Sequence, residues 1–155
     1  MIKAKVNVNY INQEGYFPLM FCSSKKQIKK LLKNGADINL QNKEGKTALI
    51  HTVEYNMMHA ATVLIEKNAN LEVKDKDGDT ALVYAIQRRE LDLLNLLISK
   101  GANVDTENKK AETPLSFCLK NGEIDTFKLL ISAGAKLDYK NKDGKTILNI
   151  AEEKG

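Results

Sequence analysis

The chain has 155 residues, of which 43% are hydrophobic and 28% charged, the balance of a soluble globular domain rather than a disordered chain. No run reaches the roughly eighteen apolar residues of a membrane-spanning helix, the N-terminus has no apolar signal-peptide core, and two cysteines cannot form a disulfide framework. The net charge of +4 rests on lysine: of 24 basic residues only Arg88 and Arg89 are arginine, so the guanidinium fork favoured for phosphate and guanine contacts is nearly absent.

In chain order, the first recognisable segments are Lys5-Val6-Asn7-Val8-Asn9 and Gly15-Tyr16-Phe17-Pro18-Leu19. Both return downstream. The first matches Gly35-Ala36-Asp37-Ile38-Asn39, Asn68-Ala69-Asn70-Leu71-Glu72, Gly101-Ala102-Asn103-Val104-Asp105 and Gly134-Ala135-Lys136-Leu137-Asp138. The second matches Gly45-Lys46-Thr47-Ala48-Leu49, Gly78-Asp79-Thr80-Ala81-Leu82, Ala111-Glu112-Thr113-Pro114-Leu115 and Gly144-Lys145-Thr146-Ile147-Leu148. The spacing is 33 throughout, except that the first copy of each precedes its match by 30. Because Gly35 keeps register, the three missing residues fall between Leu19 and Ile28, and a shortened inter-helix loop is expected around Ser23 and Ser24.

Each period reads alike. Asn42, Asp75, Asn108 and Asn141 stand three places before the Gly/Ala of a tight turn. Thr47, Thr80, Thr113 and Thr146 open a short first helix, with Pro114 tolerated just inside one of them. A second helix follows, its apolar face traced by Leu91/Leu94/Leu97/Ile98 and by Ile124/Phe127/Leu130/Ile131. Gly101, Gly134 and Asn68 close it in the left-handed conformation.

Ala-Glu-Thr113-Pro114-Leu115, followed after about twenty residues by the Gly-Ala-Asp-Val-Asn-like text, resembles the ankyrin repeat, and the resemblance covers essentially the whole chain. It implies an all-α repeat solenoid: stacked helix–turn–helix units joined by β-turn or hairpin fingers, each touching only its neighbours. The whole chain, 1–155, reads as a single such domain. Residues 1–14 are expected to be the tail of a preceding unit and 15–44 an irregular first repeat. The second spans 45–77, the third 78–110 and the fourth 111–143. Residues 144–155 form a C-terminal half repeat, which either suffices to shield the stack or marks the sequence as a fragment.

Most other chemistry is disfavoured by inventory. Cys22 and Cys118 share the small-residue column of Thr52, Ala85 and Ala151 and read as buried free thiols. Stacking at helix-packing distance puts them about 25–30 Å apart, beyond disulfide reach. His51 shares a column with Phe21, Tyr84, Phe117 and Ile150 and reads as a packed histidine; with His59 it provides no metal set. No phosphate-cradling loop, nucleophile turn or zinc-protease motif occurs, so neither an enzyme nor a cofactor is expected.

The resemblance implies recognition of another protein on a concave surface of finger tips and first helices. The expected contact residues are Tyr16, Lys43, Lys46, Tyr55, Lys76, Asp77, Asp79, Arg88, Lys110 and Glu112, with Tyr16, Tyr55 and Arg88 as anchors because Tyr and Arg dominate binding hot spots. A monomeric, cytoplasmic interaction module or regulatory scaffold is the expectation, with no small-molecule substrate, specific nucleic acid or membrane span. The alternative is electrostatic binding of nucleic acid or anionic lipid through the helix Lys25–Lys33. There Lys30 stands in the column of Val63, Leu96 and Leu129, and a charge in place of core favours a solvent-facing cap.

Overall fold

A computed structural model describes residues 7–152. The segment Met1–Val6, where the Lys5-Val6 part of the first match falls, lies outside the described residues, as do 153–155. A 3-10 turn at Pro18–Phe21 is followed by eight helices: α1 (Lys25–Lys33), α2 (Ala48–Glu54), α3 (Met58–Glu66), α4 (Ala81–Gln87), α5 (Leu91–Ser99), α6 (Pro114–Asn121), α7 (Ile124–Ser132) and α8 (Ile147–Glu152). Helices pack within pairs (α2 with α3, α4 with α5, α6 with α7) and along the array, α2 on α4 and α3 on both α1 and α5. This is an all-α repeat solenoid, with one apolar core running lengthwise from Phe17 and Leu19 through Leu49, Leu64, Leu82, Leu94 and Leu97 to Leu115 and Leu130.

The recurring residues have identifiable tasks. The amides of Ala36, Ala69, Ala102 and Ala135 each donate at 3.0 Å to a carbonyl five residues back, at Leu31, Leu64, Leu97 and Leu130. This is the six-to-one bond of a Schellman motif, and it needs the preceding residue at positive φ: Gly101 at 87° and Asn68 at 60° supply it. The Asn or Asp of each finger folds the turn around its own side chain. Oδ1 of Asn42 accepts from the amides of Glu44 and Lys46 at 3.0 and 2.9 Å. Asp75, Asn108 and Asn141 repeat the arrangement. Asn12, 30 residues before Asn42, does the same for the amide of Tyr16.

The last residue of the Gly-Ala-x-x-Asn text ties neighbours together. Side-chain oxygens of Asn9, Asn39 and Glu72 accept from the amides of Asp37, Asn70 and Asn103 at 2.8 Å, and Asp105 from that of Lys136 at 2.9 Å. Among the described residues the fingers are turns rather than paired strands. Single main-chain bonds join them, Lys76 to Glu44 at 2.9 Å and Lys109 to Asp77 at 2.8 Å.

Three local expectations are revised. The three missing residues come out of the first helix, which is reduced to the 3-10 turn; the connection that follows, 22–24, is as long as 55–57 in the next unit. Leu91 and Ile124, placed on the packed face by their spacing, lie at helix starts and are exposed. Thr47 and Thr113 cap their helices through Oγ1 at 3.2 Å, but the buried Oγ1 of Thr80 has no hydrogen-bond partner among the described residues. A cap not anticipated is Ser24, whose Ser-x-x-Gln pattern forms a reciprocal box with Gln27.

Candidate functional site

The face built from the finger turns and the first helices changes character along the array. At its start lies a run of four rings. Tyr16 packs against Phe21 with centroids 5.4 Å apart and meets His51 edge-on at 5.7 Å; His51 lies 4.7 Å from Tyr55. Phe21 is 63% exposed and Tyr55 58%, whereas Tyr16 and His51 are half-buried. The cause is the shortened first unit. The first helix there stops at Phe21, three residues short of the length of α2, so Phe21 ends a single turn and has no continuing helix to lie against. His51 is therefore a half-buried member of a ring cluster and not a core histidine. Its Nδ1 is buried without a partner among the described residues.

Burial lowers the pKa of His51, with Glu54 raising it and Lys46 lowering it to a lesser extent. A depressed histidine pKa gives stability that is fully present above the unfolded value of about 6.5 and lost as pH falls through the folded value. His51→Phe, the residue found at 21 and 117 in the same column, removes that dependence. Unfolding midpoints measured from pH 7 down to pH 5 are expected to fall more steeply for the native chain than for the variant; parallel curves would refute the assignment.

Beyond the rings the face is a polar relay in which fingers are tied to their own helices by pairs eight residues apart. Lys46 Nζ lies 2.7 Å from both carboxylate oxygens of Glu54 and 5.0 Å from the centroid of the Tyr84 ring. The Tyr84 hydroxyl donates to Asp75 Oδ2 at 2.7 Å, and burial, followed by that hydrogen bond, raises its pKa. Gln87 Nε2 donates to Asp79 at 3.3 Å, and Asn108 Nδ2 to Asp79 at 3.0 Å and to Glu112 at 3.3 Å. Lys120 Nζ completes the chain to Glu112 at 2.8 Å. Asp79 is buried beside Asp75 and Asp77, and burial raises its pKa against the pull of the Asn108 hydrogen bond.

The ten expected contact residues thus separate into three groups. Tyr16 and Tyr55 come together through His51, and Phe21 joins them, a residue that column position alone marked as packed. Lys46, Asp79 and Glu112 spend their charge inside the relay. Lys43, Arg88 and Lys110 are exposed, Arg88 at the end of α4. Lys76 is exposed but pairs with Glu44 at 3.1 Å, and Asp77 is exposed while its carbonyl holds the next finger. On α1, Lys25 pairs with Glu66 at 3.1 Å, while Lys26, Lys29, Lys30 and Lys33 are exposed. Both cysteines are buried and unpaired, and burial pushes the Cys118 thiol up to about 12. Among the described residues no His, Cys, Asp and Glu gather as a metal set, and no helix is long and apolar enough to cross a membrane.

A sequence model of ankyrin repeats, three copies long, matches residues 19–108 and 90–155. The chain belongs to the ankyrin-repeat family. It is also similar to an ankyrin repeat protein of Acanthamoeba polyphaga mimivirus, 35% identical over 74 residues that make up 43% of this chain and 46% of that protein. The aligned part thus spans about half the length of that relative. Ankyrin repeats are in general protein–protein interaction modules, and the exposed rings of this ankyrin array lie on the face built from fingers and first helices.

Proposed function

We propose that this ankyrin array is a monomeric, non-catalytic binding module that holds a protein partner on the finger and first-helix face, as an interaction module or regulatory scaffold. The observation that carries the reading is the ring cluster, in which Phe21 and Tyr55 keep more than half of their surface in water beside Tyr16 and His51. Large rings offer contact area at small entropic cost and dominate interface energetics. Their exposure costs the free protein apolar hydration, which a partner would relieve. Arg88, one repeat further along in the column of Tyr55, and Lys43, Lys76, Asp77 and Lys110 on the fingers would form the polar rim; Lys46, Asp79 and Glu112 would hold the surface in shape. Two buried free thiols fit a reducing, cytoplasmic setting.

The test uses a partner captured by a photo-crosslinking residue at position 55 in the native cell and then purified. Tyr55→Ala combined with Arg88→Ala is expected to weaken its binding by roughly a hundredfold, as loss of two hot spots does. Unchanged affinity with an unaltered unfolding midpoint would exclude this face.

A further inference from the structure

Between Glu14 and Asp37 the sequence holds five lysines and no acidic residue, and all five lysines lie on α1. Lys25 and Lys29, Lys26 and Lys30, and Lys29 and Lys33 stand four apart, so each repels its like across one turn. Of the five, Lys25 alone is paired among the described residues, to Glu66 of α3 at 3.1 Å, and that hydrogen bond holds the Glu66 carboxyl below the usual carboxylate range. The repeats show which of the others face water wherever a unit sits in the array. His59, Asp92 and Asp125 share the column of Lys26, and Glu66, Ser99 and Ser132 that of Lys33; all six are exposed. In the column of Lys29, Asn95 and Lys128 are exposed and Thr62 is half-buried. His59 and Glu66 stay open although α3 packs against both α1 and α5. Lys26, Lys29 and Lys33 thus form a basic strip about 10 Å long, at positions that neighbouring repeats leave uncovered.

We propose that this strip docks a short acidic segment of a protein partner, whose carboxylates supply the counter-charge that α1 lacks. Charge sets the sign of the occupant, and the neighbouring columns set its size. Along the array the column of Lys26 passes through His59 to Asp92 and Asp125, and that of Lys33 passes at once to Glu66. A bilayer or a long duplex lying across the second helices would press phosphates against those exposed acids, whereas a segment seated on α1 alone would not. The side chains of α1 agree with this choice. The helix has neither an arginine fork for bidentate phosphate contacts nor an aromatic ring on which a base could stack. Its apolar residues, Ile28, Leu31 and Leu32, pack on the core, which leaves none to enter lipid. Lys25 and Glu66 already show the ammonium-to-carboxylate pairing that the rest of the strip lacks. The strip is separate from the ring face, so an acidic segment can seat here whatever occupies the rings.

The probe is a blocked polyglutamate peptide titrated into the full chain while amide resonances are followed. Saturable displacements centred on α1 are expected at low salt, with binding severalfold weaker at about 0.15 M salt, where the screening length falls to about 8 Å. Lys26→Gln, Lys29→Gln and Lys33→Gln combined should weaken it at least about tenfold, since three exposed charge pairs are lost. Lys67→Gln, Lys100→Gln and Lys128→Gln combined remove the same charge from exposed positions on the other second helices and their ends, and this variant should bind as the native chain does. Circular dichroism checks that both variants are folded. No saturable displacement up to millimolar peptide would overturn the proposal. So would equal losses in the two variants, which would reduce the effect to net charge. An oligothymidylate strand of equal charge, or phosphatidylserine vesicles, bound more tightly than the peptide and with the same dependence on Lys26, Lys29 and Lys33, would assign the strip to nucleic acid or to membrane and overturn it equally.

Discussion

Asp75→Ala is expected to destabilise the fold by roughly 3 kcal/mol, since one truncation strips partners from several polar groups held at or near the core. Asp75 Oδ1 accepts from the amides of Asp77 and Asp79, both at 2.9 Å, and Oδ2 accepts the Tyr84 hydroxyl at 2.7 Å. Asp79 and Tyr84 are themselves buried, so water cannot replace what is lost. Asp75→Asn separates geometry from charge. The carboxamide keeps an acceptor for both amides, as Asn42, Asn108 and Asn141 do in the other fingers, and can donate to the tyrosine oxygen. It also removes a like charge from beside Asp79. Chemical denaturation should therefore find Asp75→Asn close to the native chain and Asp75→Ala far below it. Equal losses would mean that the carboxylate charge, not the turn scaffold, holds the finger.

The second large effect concerns Gly45, which, like Gly78, combines two constraints. Its φ is 75°, and a Cβ there would stand 2.9 Å from the Cα of Asp75 and 3.0 Å from the amide nitrogen of Lys76. The obstacle is backbone of the adjoining finger and cannot rotate aside. Gly144 has the same φ of 75° but nothing within 4 Å. Gly144→Ala is accordingly expected to cost about 1 kcal/mol, the price of the left-handed conformation alone. Gly45→Ala should cost about 3 kcal/mol, the excess arising from overpacking. Ala111, which already sits at a φ of 63° in that column, indicates that the conformation by itself is bearable. Equal losses for the two variants, measured as unfolding free energies, would refute the contact argument.

What the sequence disclosed and what it withheld divide along physical lines. The Gly-Ala step was legible because a Schellman closure needs a left-handed residue followed by a small one whose amide reaches back, and few sequences satisfy both four times. Lys30 in a column of Val63 and Leu96 marked a wet helix face, and it is exposed. The ring cluster was hidden because Phe21 and His51 share a column with residues that pack. Their exposure depends on which three residues are missing, and the offset located the deletion only to the eight residues between Leu19 and Ile28. The relay was hidden for another reason. Lys46 and Glu54, or Glu112 and Lys120, are eight apart across a turn and a helix, a spacing that no single periodicity flags. The exposure of Leu91 and Ile124 likewise escaped a wheel that records direction around an axis but not distance from the helix end.

The side-chain bonds from Asn9, Asn39, Glu72 and Asp105 join each unit only to the next. Force applied to the two ends of the array would therefore travel through these links in series, every junction carrying the full load. Such a molecule responds to tension as a row of springs, giving way first at its softest link, whereas in a globule closed by long-range contacts many bonds share the strain.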